Sequence, residues 1–359
     1  MKILYAIQGT GNGHLSRARD IVPVLNKNHE VDLLISGSQA EVDFPFQVKY
    51  RFNGLGFIFG ANGGIDLVKT YKKNYIKVLF SEINSLPVHE YDLVINDFEP
   101  VSAWACYLGG INCISISHQA AVLNKNAPQP KDTDIIGKAI LKNYAPAQSK
   151  YGFHFKPYDD NIFTPVIRKQ VREAVTTDNG HYTVYLPAYD DQRILKVLKL
   201  CGDTRWQVFS KHNRIKADLG NITIEPIKND EFIASLATSN GIICGAGFET
   251  PAEAMYLRKK LLVIPMKGQY EQQCNAIALK EMGVPVLKSF KAANAGKIIN
   301  WIEKDNIVEV DYPDQTEEII NKIIAGHVSN VTNFPGPSGK IYTVEKFRNH
   351  LLKKIVAHF

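Results

Sequence analysis

Short β-branched runs that end in glycine or polar residues, each followed by a helical pattern, recur along this chain. That alternation leaves parallel sheets wrapped by helices as the natural fold. Ile3–Ile7, Val31–Ser36, Tyr91–Asn96 and Ile111–Ser117 read as strands of a first series. After the first strand comes the turn Gln8–Gly13, and then Leu15, Ala18, Ile21, Val22 and Leu25 share one helical face. Pro23 is expected to kink or shorten that helix. A second series follows at Tyr182–Leu186, Trp206–Phe209, Ile222–Glu225, Gly241–Cys244 and Leu261–Ile264. Between the two, from Asn124 to Asn161, the pattern breaks around Pro128, Pro130, Pro146 and Pro157. A length of 359 residues suits two domains. The expected division is 1–160, 161–340 and a terminal helix at 341–359. Thr343 is that helix's expected cap, and its apolar face of Val344, Phe347, Leu351 and Ile355 is placed to pack across both domains.

Composition narrows the function classes. Hydrophobic residues at 45% and charged residues at 22% exclude a disordered chain, and no run approaches the ~18 apolar residues of a membrane span. The net charge of +6, from 42 Lys and Arg against 36 Asp and Glu, is too mild for a dedicated nucleic-acid binder. Anionic small molecules and an acidic membrane surface remain as partners. The five cysteines are scattered with no metal-ligand spacing, and the N-terminal apolar run is too short for a secretory h-region. A cytoplasmic protein with reduced thiols is expected.

Open α/β sheets bind ligands outside the carboxyl ends of their strands. By that rule Gly9–His14, Asp97–Glu99 and His118-Gln119 converge on one crevice. The glycine turn is not a dinucleotide fingerprint, because position 14 is His where a third Gly is required and no acid ends the second strand near Ser36. This disfavours an NAD-linked dehydrogenase. Gly9, Gly11 and Gly13, with Asn12 between the last two, still describe a backbone that something approaches closely. His14 then opens a helix at the crevice rim, where a neutral imidazole can accept a proton. Asp97 is placed to fix its tautomer, with Glu99 as a competing partner, which is the His–Asp logic of general-base catalysis. The blander alternative is a tight turn with His14 as a local cap and Asp97 as a turn-forming residue.

In the second half, Gly245-Ala246-Gly247 follows a strand and precedes Thr250-Pro251-Ala252-Glu253. This tetrapeptide has the form of a helix start with Thr250 as N-cap and Glu253 closing a capping box. A glycine turn at a helix N-terminus offers free N–H groups and about half a positive charge to a phosphate. Glu253 either completes the box or turns away to bind a diol; the sequence leaves both open. After Leu261–Pro265, the loop running into the next helix carries Glu271 and Gln272, which together can accept from and donate to vicinal hydroxyls.

In this order the motifs resemble the GT-B glycosyltransferases that use nucleotide sugars, near families 1 and 28, which include the UDP-glycosyltransferases and the peptidoglycan N-acetylglucosaminyltransferase. The resemblance spans most of the chain: the Gly-x-Gly-His14 loop, the strand-end Asp97, the Gly245 to Glu253 element, and Glu271-Gln272 with Asn275-Ala276. It implies two Rossmann-like domains facing across a cleft, with a C-terminal helix crossing back to the first. It further implies a metal-independent, inverting hexosyltransferase with no cofactor, moving a sugar from a UDP-type donor to an acceptor hydroxyl in a cell-envelope glycan, a lipid or a small molecule. His14 would be the base with Asp97 its partner. Gly245, Ala246, Gly247 and Thr250 would hold the diphosphate, Glu253 the ribose, and Glu271 with Gln272 the sugar. Gly11, Asn12, Gly13, Glu99 and His118 would line the acceptor side. Two positions depart from the pattern: Cys244 stands where plant-type members have a His, and Glu271 where the usual residue is Asp.

Other readings are a nucleotide-sugar 2-epimerase of the same fold and a non-catalytic nucleotide-sugar-binding protein. Asp132-Thr133-Asp134 has the D-x-D form of metal-dependent transferases but follows no strand, and reads as a solvated loop. Lys69, Lys73 and Lys77 make a basic helical stripe suited to peripheral contact with anionic lipid, and equally to a solvated face.

Overall fold

The computed structural model describes residues 1–37, 44–55, 73–131, 134–329 and 343–356. The chain forms two compact units, one of Met1–Ala127, Lys131–Val166 and Asp314–Phe359, the other of Pro128–Pro130 and Ile167–Pro313. Against the expected boundary at 340, the described residues of 314–356 group with the first unit.

The first unit runs β1 (Lys2–Gln8), α1 (Asn12–Asn26), β2 (Glu30–Ser36), β3 (Tyr50–Phe52), α2 (Lys73–Ser85), β4 (Leu93–Asp97), α3 (Pro100–Gly109), β5 (Cys113–Ile116), α4 (His118–Val122), α5 (Ile135–Tyr144), β6 (Ser149–Phe153) and β7 (Ile162–Phe163). Among the described residues its seven strands are all parallel, in the order β3-β2-β1-β4-β5-β6-β7. The order reverses between β1 and β4, where Ile7 pairs with Asp97, so the carboxyl ends of these two strands open the crevice that a doubly wound sheet offers to a ligand. The two-residue period sorts the side chains. Leu4, Ala6 and Val94 enter a core with Leu79 of α2 and Trp104 of α3, while Tyr5, Ile7, Ile95 and Asp97 share the opposite face, where α1 brings Arg17 onto Asp97. Helix α1 continues through Pro23 to Asn26 rather than ending there.

The second unit runs α6 (Lys169–Arg172), β8 (His181–Tyr185), α7 (Asp191–Leu198), β9 (Arg205–Ser210), β10 (Ala217–Leu219), β11 (Ile222–Pro226), α8 (Asn229–Thr238), β12 (Gly241–Gly245), α9 (Glu249–Tyr256), β13 (Lys260–Ile264), α10 (Tyr270–Glu281) and α11 (Ala295–Glu303). Six strands lie in the order β10-β11-β9-β8-β12-β13, all parallel except the edge pair β10–β11. Its reversal falls between β8 and β12, which sets the Gly245–Gly247 turn at the equivalent crevice. Val184, Trp206, Ile243, Leu262, Phe290 and Trp301 fill its core.

The chain then returns as α12 (Thr316–Ser329) and α13 (Val344–Val356). Helix α12 packs on α1, and α13 packs on α2 and α5. Phe347 of α13 is fully buried between Phe80 and Trp104, 5.4 Å from each ring. Helix α5 and strand β6 lie within the segment whose prolines read as a break. Those prolines flank the elements rather than interrupt them. The cysteines are all free and buried. Among the described residues no helix is long and apolar enough to cross a membrane.

Candidate functional site

At the crevice of the first unit the loop between β1 and α1 lies tight against β2. A Cβ on Gly9 would stand 2.8 Å from Ile35 and 2.9 Å from the Ser36 carbonyl oxygen, and Gly11 has φ +97°, which only glycine adopts without strain. Asn12 and Gly13 are the first residues of α1, whose N-cap, Gly11, has no side chain to cap it. His14 follows within the first turn, with 12% of its side chain exposed.

The loop aims His14 at a buried carboxylate. His14 Nδ1 lies 2.8 Å from Asp97 Oδ1, and Asp97 is completely buried. Arg17, one helical turn after His14, donates from Nη2 to both Asp97 oxygens at 2.7 Å. Arg17 is itself 1% exposed and lies 5.5 Å above the Phe153 ring. Burial alone would raise the Asp97 pKa. The Arg17 guanidinium and then His14 outweigh it and hold the carboxyl below its ordinary value. An ionised carboxylate only accepts, so the proton shared with it belongs to Nδ1 and Nε2 is left as the basic nitrogen of the neutral ring. Gln119 Nε2 approaches that nitrogen at 3.4 Å.

Phe98, next to Asp97, has φ +57°, a left-handed conformation that a bulky residue adopts at a cost of order 1–3 kcal/mol. Its ring lies parallel to His14 at 6.3 Å and stacks on Tyr144 at 4.7 Å. The strained corner therefore directs Asp97 and Phe98 toward the same imidazole. Glu99 has a different task from that of a second partner. It is the N-cap of α3, accepting from the backbone N–H of Val101 and Ser102 and from the Ser102 hydroxyl. His118 is buried, with Nδ1 donating to the Phe153 carbonyl at 2.8 Å.

The glycine turn of the second crevice is held by neutral side chains. Asn275 of α10 donates to the Ala246 carbonyl at 3.1 Å, and Gln272 accepts from the Met266 N–H at 2.9 Å. The Gln272 amide lies alongside Gly245, within 4.0 Å of where a Cβ would stand. A Cβ on Gly247 would meet nothing within 4 Å. Helix α10 thus holds the turn while Gly247 faces open space. Glu271 occupies the first turn of α10.

The expected capping box does not form. Helix α9 starts at Glu249 after Phe248, with no side-chain cap, so Thr250 lies within its first turn. An acidic residue, Glu249, already stands there and partly offsets the helix dipole. Glu253 turns to Arg168, its Oε1 accepting from Nε at 2.5 Å and Oε2 from Nη2 at 2.7 Å. Glu253 is 2% exposed, and Arg168 Nη1 also donates to Asn229. Both oxygens of the expected ribose ligand are therefore engaged within the unit.

Arg17 and Arg168 are the residues that sequence reasoning missed. The spacing His-x-x-Arg on a helix facing a strand-end carboxylate was a usable signal for Arg17. Arg168 lies in an unpatterned segment that offered none. Asp132, Thr133 and Lys69 lie outside the described residues, as does the side chain of Lys73. Asp134 caps α5 by accepting from the Gly137 N–H, and Lys77 is an exposed residue of α2.

Residues 1–304 match the family described as glycosyl transferase family 1. No curated protein matches. Solved structures match over nearly the whole chain. UGT89C1 of Arabidopsis thaliana, complexed with UDP, is 11% identical with a TM-score of 0.56, covering 98% of this chain and 99% of that one. MurG of Acinetobacter baumannii is 13% identical with a TM-score of 0.52, over 98% and 99%. A UDP-N-acetylglucosamine 2-epimerase is 12% identical with a TM-score of 0.52, over 93% and 98%. At this identity the likeness is one of fold, the α/β GT-B type.

Proposed function

The chain belongs to glycosyl transferase family 1, and from that premise we propose that this glycosyltransferase moves a sugar from a UDP-type donor to an acceptor hydroxyl by direct, inverting displacement with His14 as base. The observation that carries the reading is the 2.8 Å contact of His14 Nδ1 with a buried Asp97, which makes Nε2 the nitrogen that can take a proton. In the step, the acceptor O–H passes its proton to Nε2 as the oxygen forms its bond to the anomeric carbon. The bond from that carbon to the diphosphate breaks, and its electron pair leaves on the phosphate oxygen. Asp97 stabilises the imidazolium that results.

The donor falls to the second unit. N–H groups of the Gly245–Gly247 turn and the Thr250 hydroxyl would hold the diphosphate without a metal, and Glu271 with Gln272 would read the sugar. The Gln272 amide beside Gly245 supports this grouping. Glu253 is left out of the donor set because Arg168 takes both its oxygens. The acceptor class is a glycan, a lipid or a small molecule, reached in the cytoplasm or at the inner face of a membrane.

The test is a panel of nucleoside diphosphates by thermal shift in EDTA, followed by transfer assays with the donor selected. UDP stabilisation without metal supports the reading. Turnover of a UDP-sugar with no acceptor present would favour a 2-epimerase, whose solved representative shares the fold.

A further inference from the structure

Arg17 is costly to place where it is. A guanidinium that is 1% exposed needs compensation, and here it comes from Asp97, which accepts twice from Nη2, and from the Phe153 ring beneath it. Arg17 Nη2 also lies 3.2 Å from His14 Nδ1. With Nδ1 already bearing a proton, that approach places a positive charge directly beside the ring rather than adding a hydrogen bond.

The charge balance follows. With His14 neutral, Arg17 and Asp97 cancel; once His14 takes a proton, the trio carries one net positive charge in a buried setting. Other groups among the described residues also face it. Tyr5 of β1 lies on the same face with its hydroxyl unpartnered among the described residues, and Gln119 of α4 reaches Nε2. His118, also of α4, is turned to the Phe153 carbonyl, and Glu317 of α12, which packs on α1, is taken by Lys27.

We propose that Arg17 is a positioning residue: by holding both Asp97 oxygens it keeps the carboxylate aimed at His14 Nδ1, leaves Nε2 as the basic nitrogen, and sets a fixed positive charge beside the ring. The role of that nitrogen as a base rests on the function proposed above; the protonation geometry does not.

The experiment is a 15N NMR titration of the His14 imidazole in the full chain. In the wild type the neutral ring should be the Nδ1–H tautomer, and an Nε2–H tautomer there overturns the proposal without any variant. In Arg17→Gln the His14 midpoint should rise by about one pH unit, a tenfold gain in proton affinity, and in Arg17→Lys it should stay near the wild-type value. An unmoved midpoint in a folded Arg17→Gln protein would reduce Arg17 to packing. The acid limb of the kcat/KM profile should shift upward with the NMR midpoint. A shifted midpoint in a protein that transfers no sugar would leave this proposal standing and remove the function, whereas transfer with an unshifted midpoint would do the reverse.

Discussion

The two crevices occupy equivalent places, each outside the carboxyl ends of parallel strands where the strand order reverses, yet they are built from opposite materials. The first gathers ionisable side chains, His14, Asp97 and Arg17, around a buried carboxylate. The second presents bare backbone at Gly245–Gly247, held by the amides of Gln272 and Asn275, and keeps its own buried carboxylate, Glu253, on Arg168. Moving a proton needs groups whose charge can change, whereas gripping a diphosphate needs N–H groups and no Cβ in the way. In the first unit an arginine holds a carboxylate that also meets a histidine; in the second it holds one paired to no histidine in the described contacts.

The largest effect should come from removing the part with no counterpart in the second unit. His14→Ala should cut transfer by on the order of 10²–10⁴ while leaving UDP affinity nearly unchanged. Equal rates in mutant and wild type would erase the contrast between the two crevices. Next, Arg168→Met should destabilise the second unit by about 3–5 kcal/mol, since it leaves Glu253 buried and unpaired. Hydrogen exchange resolved by peptide should place the loss in β12 and α9, and Glu253→Ala should spare UDP affinity. A drop in that affinity by calorimetry would return Glu253 to the donor set.

A smaller and sharper test is Gly247→Ala. The new methyl meets nothing in the protein, so the unfolding midpoint should not change, but UDP binding should weaken about tenfold, or ~1.4 kcal/mol. Unaltered UDP binding would show that the ligand does not approach this turn. Smallest is the acid limb of stability. Because the folded pKa of Asp97 is depressed, its contribution is present above about pH 3.9, the unfolded value, and is lost as pH falls through the folded one. Urea midpoints of Asp97→Asn between pH 3 and 7 should therefore depend less on pH than those of the wild type.

What the sequence revealed divides along the same line. His14 and Asp97 were legible because each sits at the end of a buried strand or the start of the following helix, positions that periodicity locates to within a residue or two. The glycine turn was legible for the same reason. Glu253 stayed open in the sequence because Thr-x-x-Glu is a local pattern, while the ion pair that claims the carboxylate comes from 85 residues away. Helix α5 and strand β6 were masked by prolines that lie just outside them. Arg17 was overlooked because the apolar face of α1 accounts for the helix by itself, and nothing in that periodicity says which polar residue is drawn inward.

The return of α12 and α13 to the first unit has a consequence for synthesis. During synthesis β1 to β7 precede the second unit, but Phe347, which closes the space between Phe80 and Trp104, arrives only with α13. The second unit, nearly contiguous in the chain, can finish folding while the first still exposes that apolar gap. The half that carries His14 is the first to be translated and the last to be complete.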